Sequence, residues 1–451
     1  MSNRKLFGTD GIRGKANVYP MVSDIALKVG KALASVVKKD NNKAAIVIGK
    51  DTRLSGYMLE TALVSGVVSM GVDVYLVGPI PTPAVAHLTR SMNADAGIMI
   101  TASHNPATDN GIKIFDAEGF KLADEKEAEM ERLMFSPEID QMMVSGTEIG
   151  KAYRLKESKG RYIEFAKSTI QDMRFRDIKI VLDCANGAAY EVAPKVFKEL
   201  GAEVIVLNDE PNGLNINLHC GAVHPENTAK KVVEYGADLG ITFDGDADRL
   251  IVCDENGEIL DGDYILTFCA YQMLKENRLR NNTLVITDYS NTGVEESLKK
   301  MSGKVVRTDN GDRYVIEAMR KEGFNLGGEA SGHMIFSDYV PTGDGIISAL
   351  QFLKLIKNAD IKVSEIRKYL TKNPQILESF EVTEKKPFEE MPVVAAKIKE
   401  IEDKLKNNGR ILLRYSGTEN KCRIMIEGKE KEPTELLVAE LTAVIKNEIG
   451  I

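Results

Sequence analysis

Short, apolar, β-branched runs recur along the chain, each trailed by a glycine turn and a segment with helical spacing. Residues 44–49 (AAIVIG) predict a buried strand, 57–70 an amphipathic helix and 72–78 (VDVYLVG) the next strand. The same order returns at 178–183 (IKIVLD), 189–200 and 202–208 (AEVIVLN). It returns again at 283–288 (TLVITD), 293–301 and 304–309 (KVVRTD). Such units build parallel or mixed sheets with helices on both faces, because their strands are apolar on both sides. Three copies predict three related α/β domains with mixed sheets. The tail breaks the pattern, reading strand 375–383, helix 388–406, strands 409–414 and 421–427, then helix 432–448. Hairpin-like strands with two helices predict a smaller C-terminal α+β domain.

We place the divisions at 1–153, 154–255, 256–370 and 371–451, with the charged helix 122–134 and the polar stretch 144–160 as the first linker. The net charge of −8 arises from 59 basic and 67 acidic side chains mixed along the whole length. That balance argues against a nucleic-acid partner, while a local basic pocket for a phosphorylated small molecule needs only a few cations. The five cysteines are scattered and never spaced as CxxC, which disfavours disulfides or zinc and suits a reducing cytosol. The opening MSNRKLFGTDGIRG has no apolar signal segment, and no run approaches the ~18 apolar residues of a membrane span. A soluble, cytoplasmic protein with no membrane partner is expected.

Five polar motifs carry candidate chemistry. Thr101-Ala102-Ser103-His104-Asn105-Pro106 follows the apolar run 96–100, where open α/β sheets place their ligands. Ser103 could carry a phosphoryl group there, or merely cap a turn. Phe243-Asp244-Gly245-Asp246-Ala247-Asp248-Arg249 sets three carboxylates at alternate positions, whose mutual repulsion calls for a hard cation such as Mg²⁺ or Ca²⁺. A calcium-binding loop would need Gly where Arg249 stands. A haloacid-dehalogenase-type phosphatase would want Thr or Val where Asp248 stands. Gly328-Glu329-Ala330-Ser331-Gly332-His333 combines a hydroxyl acceptor, small residues for close approach and an imidazole. Arg414-Tyr415-Ser416-Gly417-Thr418-Glu419, with Arg423 beyond it, suits a phosphate cradle. Phe7-Gly8-Thr9-Asp10-Gly11-Ile12-Arg13-Gly14 is a glycine-rich, anion-facing loop too generic to decide anything alone.

In that order, one per inferred domain and with FGTDGIRG opening the chain, these motifs resemble the α-D-phosphohexomutase superfamily over essentially the full length. CANGA at 184–188, NGDRYV at 310–315, PTGDG at 341–345 and RIMIEG at 423–428 look like its bacterial phosphoglucosamine mutase branch. The resemblance implies four domains around one cleft, a phosphoserine at Ser103, and Mg²⁺ held by Asp244, Asp246, Asp248 and a phosphoserine oxygen. It implies interconversion of glucosamine 6-phosphate and glucosamine 1-phosphate through a 1,6-bisphosphate, supplying amino-sugar nucleotides to the cell envelope. Hexosamine or glucose 1,6-bisphosphate would be the activator, and a homodimer is compatible with it. By match to family positions, Arg13, Lys113, Arg249 and His333 would manage protons or charge. Glu329 and Ser331 would bind sugar hydroxyls, and Arg414, Ser416, Gly417, Thr418 and Arg423 would hold the non-reacting phosphate. Two positions depart from the pattern: Ala330 stands where the branch has an amide residue, and Asn420 where the family's phosphate loop usually has Pro. A phosphomannomutase or phosphoglucomutase of the same superfamily is the nearest alternative.

Overall fold

The computed structural model describes residues 6–8, 10–38, 43–406, 408–416 and 420–451. Each apolar run forms a strand within a residue or two of its expected place. The first sheet comprises β1 (Ile12–Lys15), β2 (Ala45–Lys50), β3 (Asp73–Pro79), β4 (Ala96–Ile100), β5 (Asp109–Asp116) and β6 (Ala152–Arg154), in the order β1-β5-β4-β2-β3-β6. The second holds β7 (Lys179–Asp183), β8 (Glu203–Leu207), β9 (Leu239–Phe243), β10 (Leu250–Asp254) and β11 (Ile259–Leu260), ordered β11-β10-β9-β7-β8. The third holds β12 (Thr283–Thr287), β13 (Lys304–Thr308), β14 (Leu326–Gly328) and β15 (Met334–Phe336), ordered β13-β12-β14-β15.

These sheets share one plan. β3-β2-β4, β8-β7-β9 and β13-β12-β14 are parallel triplets, and in each the last strand turns back into an antiparallel neighbour, β5, β10 or β15. The serine loop joins β4 to β5, the aspartate loop joins β9 to β10, and the Glu329 loop joins β14 to β15. The three motifs are therefore one topological position used three times. Helices cover both faces: in the first sheet, Ser23–Val37 and Ser55–Ser69 pack against Ile46 and Ile48, while Thr82–Ser91 packs on the Val47 and Met99 side. The period of two along β2 sends its side chains alternately to these two cores.

The stretch 144–160, expected as a linker, is partly structured. Its Ala152–Arg154 segment adds to the sheet edge in parallel with Val74–Leu76, because β3 leaves an unpaired edge that an extended chain can satisfy. β11 likewise extends the second sheet beyond residue 255.

The tail forms a three-stranded antiparallel sheet of β16 (Gln375–Glu381), β17 (Arg410–Tyr415) and β18 (Lys421–Glu427), ordered β16-β18-β17. Its helices Pro392–Leu405 and Lys431–Ile449 close a separate core around Val394, Ile401, Ile424, Leu441 and Ile445. By contrast, one continuous apolar core runs from Val47 through Phe243 and Leu350 to Ile366, joining the first three domains.

Candidate active site

The Ser103 loop and the Asp244 loop meet at the centre of the molecule. Ser103 is buried and adopts φ 51°, a left-handed conformation that a non-glycine residue keeps only when its surroundings enforce it. Two buried side chains enforce it here. Arg53 donates to the carbonyl oxygens of Ser103 (3.2 Å) and Asn105 (2.6 Å), and Asn217 Nδ2 donates to the same pair at 2.9 and 3.1 Å. Arg53 is in turn held by the Asp51 carboxylate. Thus oriented, Ser103 Oγ donates to Asp244 Oδ2 at 2.7 Å and lies 3.3 Å from His104 Nδ1. Gly245 is required for this approach, since a Cβ there would lie 2.6 Å from the Ser103 carbonyl oxygen.

The three carboxylates converge because the chain curls through Ala247 at φ 58°, and one oxygen from each lies within 4.8 Å of the others. All three side chains are buried. Lys113 Nζ, from β5, reaches Asp246 at 2.9 Å and Asp248 at 3.0 Å, and Thr82 Oγ1 donates to Asp246 at 2.6 Å. Asp246 Oδ1 and Asp248 Oδ1 remain buried without a hydrogen-bond partner among the described residues. Buried carboxylate oxygens left so are costly unless a cation takes them, and an all-oxygen donor set suits a hard divalent ion. The residues fit Mg²⁺. Burial, with Asp248 and Asp246 beside it, pushes the Asp244 carboxyl well above the usual range. Burial acts on Asp248 as well, but Lys113, His333 and Arg249 outweigh it and hold that carboxyl well below.

The two imidazoles nearest the site behave oppositely. Burial, helped by Arg249 and Arg13, pushes His104 down to about 3, so it is neutral beside the serine. Burial also disfavours charge on His333, but Asp248 and Asp312 outweigh it and push the ring up to about 9. These carboxylates favour the imidazolium form of His333, which suits the ring to manage charge.

A cavity of about 570 Å³ opens from His104 and Arg249 toward the tail domain, lined also by Glu329, Ser331, Arg414 and Arg423. Opposite pairing of Arg414 with Arg423 across β17 and β18 places the two guanidinium groups side by side on the cavity face. Arg414 Nε donates to the Tyr289 hydroxyl at 2.9 Å and its guanidinium lies 4.8 Å from that ring, which fixes one edge of the fork. Glu329 is braced by the Gly311 amide at 3.2 Å and the Ser331 hydroxyl at 3.3 Å.

Four profiles of the phosphoglucomutase/phosphomannomutase family cover the chain in order: α/β/α domain I over residues 4–140, domain II over 160–257, domain III over 261–373 and the C-terminal domain over 377–444. A phosphoglucosamine mutase of Geobacter sp. (strain M21) is 52% identical over 448 residues, covering 99% of each chain. The chain belongs to the phosphoglucosamine mutases. Among solved structures, a phosphoglucomutase/phosphomannomutase family protein from Burkholderia thailandensis shares the fold with TM-score 0.79 at 24% identity, covering 98% of this chain and 99% of that one. Aspergillus fumigatus N-acetylphosphoglucosamine mutase in complex with GlcNAc-6P and magnesium shares it with TM-score 0.68 at 19% identity, covering 98% and 96%.

Against this phosphoglucosamine mutase frame, the expected residues fall into two groups. Ser103, Lys113, Asp244, Asp246 and Asp248 share the buried centre, with Arg13 beside it through its ion pair to Asp10. Arg249, Glu329, Ser331, Arg414 and Arg423 line the cavity, and His333 stands between centre and sugar loop. Ser416 is buried in the hairpin, its amide donating to Lys421 O at 2.8 Å and its carbonyl accepting from Lys385 at 2.7 Å, and it is not among the cavity-lining residues. Gly417 and Thr418 lie outside the described residues. Ala330 lines the cavity, and Asn420 O accepts from Val382 N at 2.9 Å.

Sequence reasoning missed His104, Tyr289 and Asp10 as members of the site, and Lys121 and Asp312 as charges packed behind it. His104 and Asp10 lie inside motifs already marked by sequence. Tyr289 and Lys121 belong to no motif and are brought in only by domain packing. The branch-like motifs also acquire physical roles. In CANGA, Ala188 N donates to the Gly245 carbonyl at 2.8 Å and so backs the aspartate loop. In PTGDG, Gly343 makes room for the His333 ring, whose Nε2 would lie 2.3 Å from a Cβ there.

Proposed function

We propose that the chain interconverts glucosamine 6-phosphate and glucosamine 1-phosphate through a phosphoserine at Ser103 and a 1,6-bisphosphate. The observation that carries this reading is the 2.7 Å contact of Ser103 Oγ with Asp244, inside a three-carboxylate cluster at the head of a cavity with two arginines opposite. Asp244, Asp246 and Asp248 would hold Mg²⁺ together with an oxygen of the phosphoserine, a donor set consistent with the magnesium of the Aspergillus complex. When bound, that ion would neutralise charge on the transferring phosphoryl group.

The chain's own residues do the remaining work. Phosphoryl transfer passes through a loose transition state with charge on three equatorial oxygens, so positioning and cations matter most. In the forward half, the bond from phosphorus to Ser103 Oγ breaks as a bond to the free sugar hydroxyl forms, and the proton that this hydroxyl loses ends on Ser103 Oγ, which leaves as the serine hydroxyl. In the return half, the other phosphate of the bisphosphate passes back to Ser103. Lys113, Arg249, Arg13 and the His333 imidazolium surround these oxygens with positive charge. Glu329 and Ser331 receive sugar hydroxyls, and Arg414 with Arg423 grips whichever phosphate is not reacting. Remote grip of this kind converts binding energy into orientation at the reacting end. Gly417 and Thr418 would complete that grip. Hexosamine or glucose 1,6-bisphosphate would prime Ser103. The enzyme would work in the cytoplasm, with a homodimer as its assembly.

The test is a mutase assay comparing glucosamine 6-phosphate, glucose 1-phosphate and mannose 1-phosphate, each with trace bisphosphate. Preference for the first supports the reading, and preference for either other sugar makes the chain a phosphoglucomutase or phosphomannomutase. Peptide mapping should place ~80 Da, the mass of a phosphoryl group, on the Ser103 peptide in hydroxylamine-stable linkage. A labile acyl phosphate on Asp244 would instead establish an aspartyl-nucleophile phosphatase.

A further inference from the structure

Six ionisable side chains, His333 among them, close into a ring. Lys113 Nζ lies 3.3 Å from Asp10 and 3.0 Å from Asp248. His333 lies 3.6 Å from Asp248 through Nδ1 and 3.4 Å from Asp312 through Nε2. Lys121 closes the circuit, 2.6 Å from Asp312 and paired with Asp10. Carboxylates and basic side chains alternate without exception, so each lies between two partners of the other kind. The ring is also divided among domains: Asp10, Lys113 and Lys121 come from the first sheet's domain, Asp248 from the second, and His333 and Asp312 from the third.

Part of this ring belongs to the site already described, while Lys121 and Asp312 do not. Neither lines the sugar cavity nor touches the serine or the aspartate cluster. Asp312 opens the helix Asp312–Glu322, and the next residue, Arg313, fastens that helix to the first domain through Asp124 and, at 2.6 Å, the carbonyl oxygen of Leu122. The backbone fastens the third domain to the second as well, since Leu250 N donates to Gly332 O at 2.9 Å beside the Arg249–His333 bridge.

We infer that Asp312 and Lys121 are positioning residues for the phosphoryl-transfer reaction: they aim His333 at Asp248 and so hold the sugar loop in register with the aspartate loop. The geometry leaves His333 little other support. Its ring sits over Gly343, and its Nε2 has no full hydrogen bond among the described residues, so the Asp312 carboxylate 3.4 Å from Nε2 is the neighbour that sets its orientation. Lys121 keeps Asp312 from turning away. This inference rests on the proposed role of His333 and Asp248 in the mutase reaction.

A double-mutant cycle tests it on the full-length enzyme, using glucosamine 6-phosphate with trace bisphosphate. Asp312→Asn should lower kcat by roughly tenfold or more with KM changed little, because the sugar contacts are intact. Combined with His333→Gln, it should add nothing to the loss caused by His333→Gln alone, the signature of two residues acting through one contact. Lys121→Gln should give a smaller loss that also vanishes in the His333→Gln background, and it runs the same cycle if Asp312→Asn fails to fold. Multiplicative losses would overturn the inference and make the ring a purely structural staple. A His333→Gln enzyme with unchanged kcat would overturn it too, by removing the role through which both residues act. Wild-type enzyme inactive on all three hexose phosphates would instead overturn the proposed function itself.

Discussion

The two ends of the cleft are built by opposite rules. At the reacting end, Ser103, Lys113 and the three aspartates are buried, clasped by fixed donors, and rooted in one apolar core that spans three domains. At the other end, proposed to grip the phosphate, Arg414 and Arg423 stand on a sheet whose domain has its own core. That domain meets the third through polar contacts: Glu427 accepts from Thr292 N (2.7 Å), and Arg410, held by Glu427 within the tail sheet (2.8 Å), reaches Ser290 O at 2.6 Å. Apolar cores resist rearrangement, whereas polar joints exchange contacts with water at small net cost. The contrast matches the proposed chemistry. A phosphoryl group demands a fixed frame, while a bisphosphate that must present each end in turn demands a grip that can let go.

The largest effect should come from the fixed end. Ser103→Ala should abolish the ~80 Da phosphoryl label and reduce turnover by at least about 10³-fold, as loss of a covalent carrier does. Circular dichroism and the melting transition should stay near wild type, because the loop is held through backbone carbonyls and not through Oγ. Residual activity near wild type would move the carrier elsewhere and erase the distinction between the two ends.

Removing the metal should act on the same end. Treatment with a chelator should stop turnover, and Mg²⁺ should restore it better than Ca²⁺, whose longer and looser coordination positions oxygens poorly. Asp246→Asn should raise the Mg²⁺ concentration for half-activation without changing which sugar is preferred. Restoration by Ca²⁺ alone would count against a rigid reacting end.

The gripping end should respond less. Arg414→Ala removes a charge-assisted contact of about 1.5–3 kcal/mol, so kcat/KM should fall roughly ten- to a hundredfold, with kcat sharing the loss. Serine phosphorylation should be spared. Arg414→Lys should recover only part, because an ammonium cannot both bond Tyr289 and fork a phosphate. An unchanged kcat/KM in Arg414→Ala would leave the grip without its arginine.

The smallest effect concerns stability behind the fixed end. Asp344 caps the helix Gly345–Ala359 by accepting from Ile347 N, and it accepts from the Tyr162 hydroxyl at 2.7 Å. Burial raises its carboxyl to about 6, despite those bonds. A raised folded-state value means that folding favours the protonated form. That contribution is full below the ordinary carboxylate value and is lost as pH rises through about 6. Asp344→Asn should therefore flatten the decline in stability between pH 4 and pH 7, by an amount on the order of 2 kcal/mol. Denaturant titrations at the two pH values provide the measurement, and parallel curves for both proteins would contradict it.

Sequence by itself determined the strands, their grouping in threes, and the motifs TASHNP, DGDADR, GEASGH and RYSGTE. Each of these is local: apolar alternation specifies a strand, and a loop's residue types specify what it can bind. It also marked Ser103 and the aspartates, since three carboxylates so close in sequence make sense only with a cation. Only the tertiary structure decided which loops face each other. Gly245 lets the serine loop touch the aspartate loop, and Lys113 reaches two acids some 130 residues away in sequence. The edge strand Ala152–Arg154 was read as linker because a short polar segment acquires its pairing from a neighbour and not from its own pattern. His333 carries only a local signal for managing protons or charge, and it is Asp248 and Asp312, packed against it, that push its ring up. Those carboxylates come from different domains, and the field at a buried site is a sum over everything packed around it, which no local run of residues encodes.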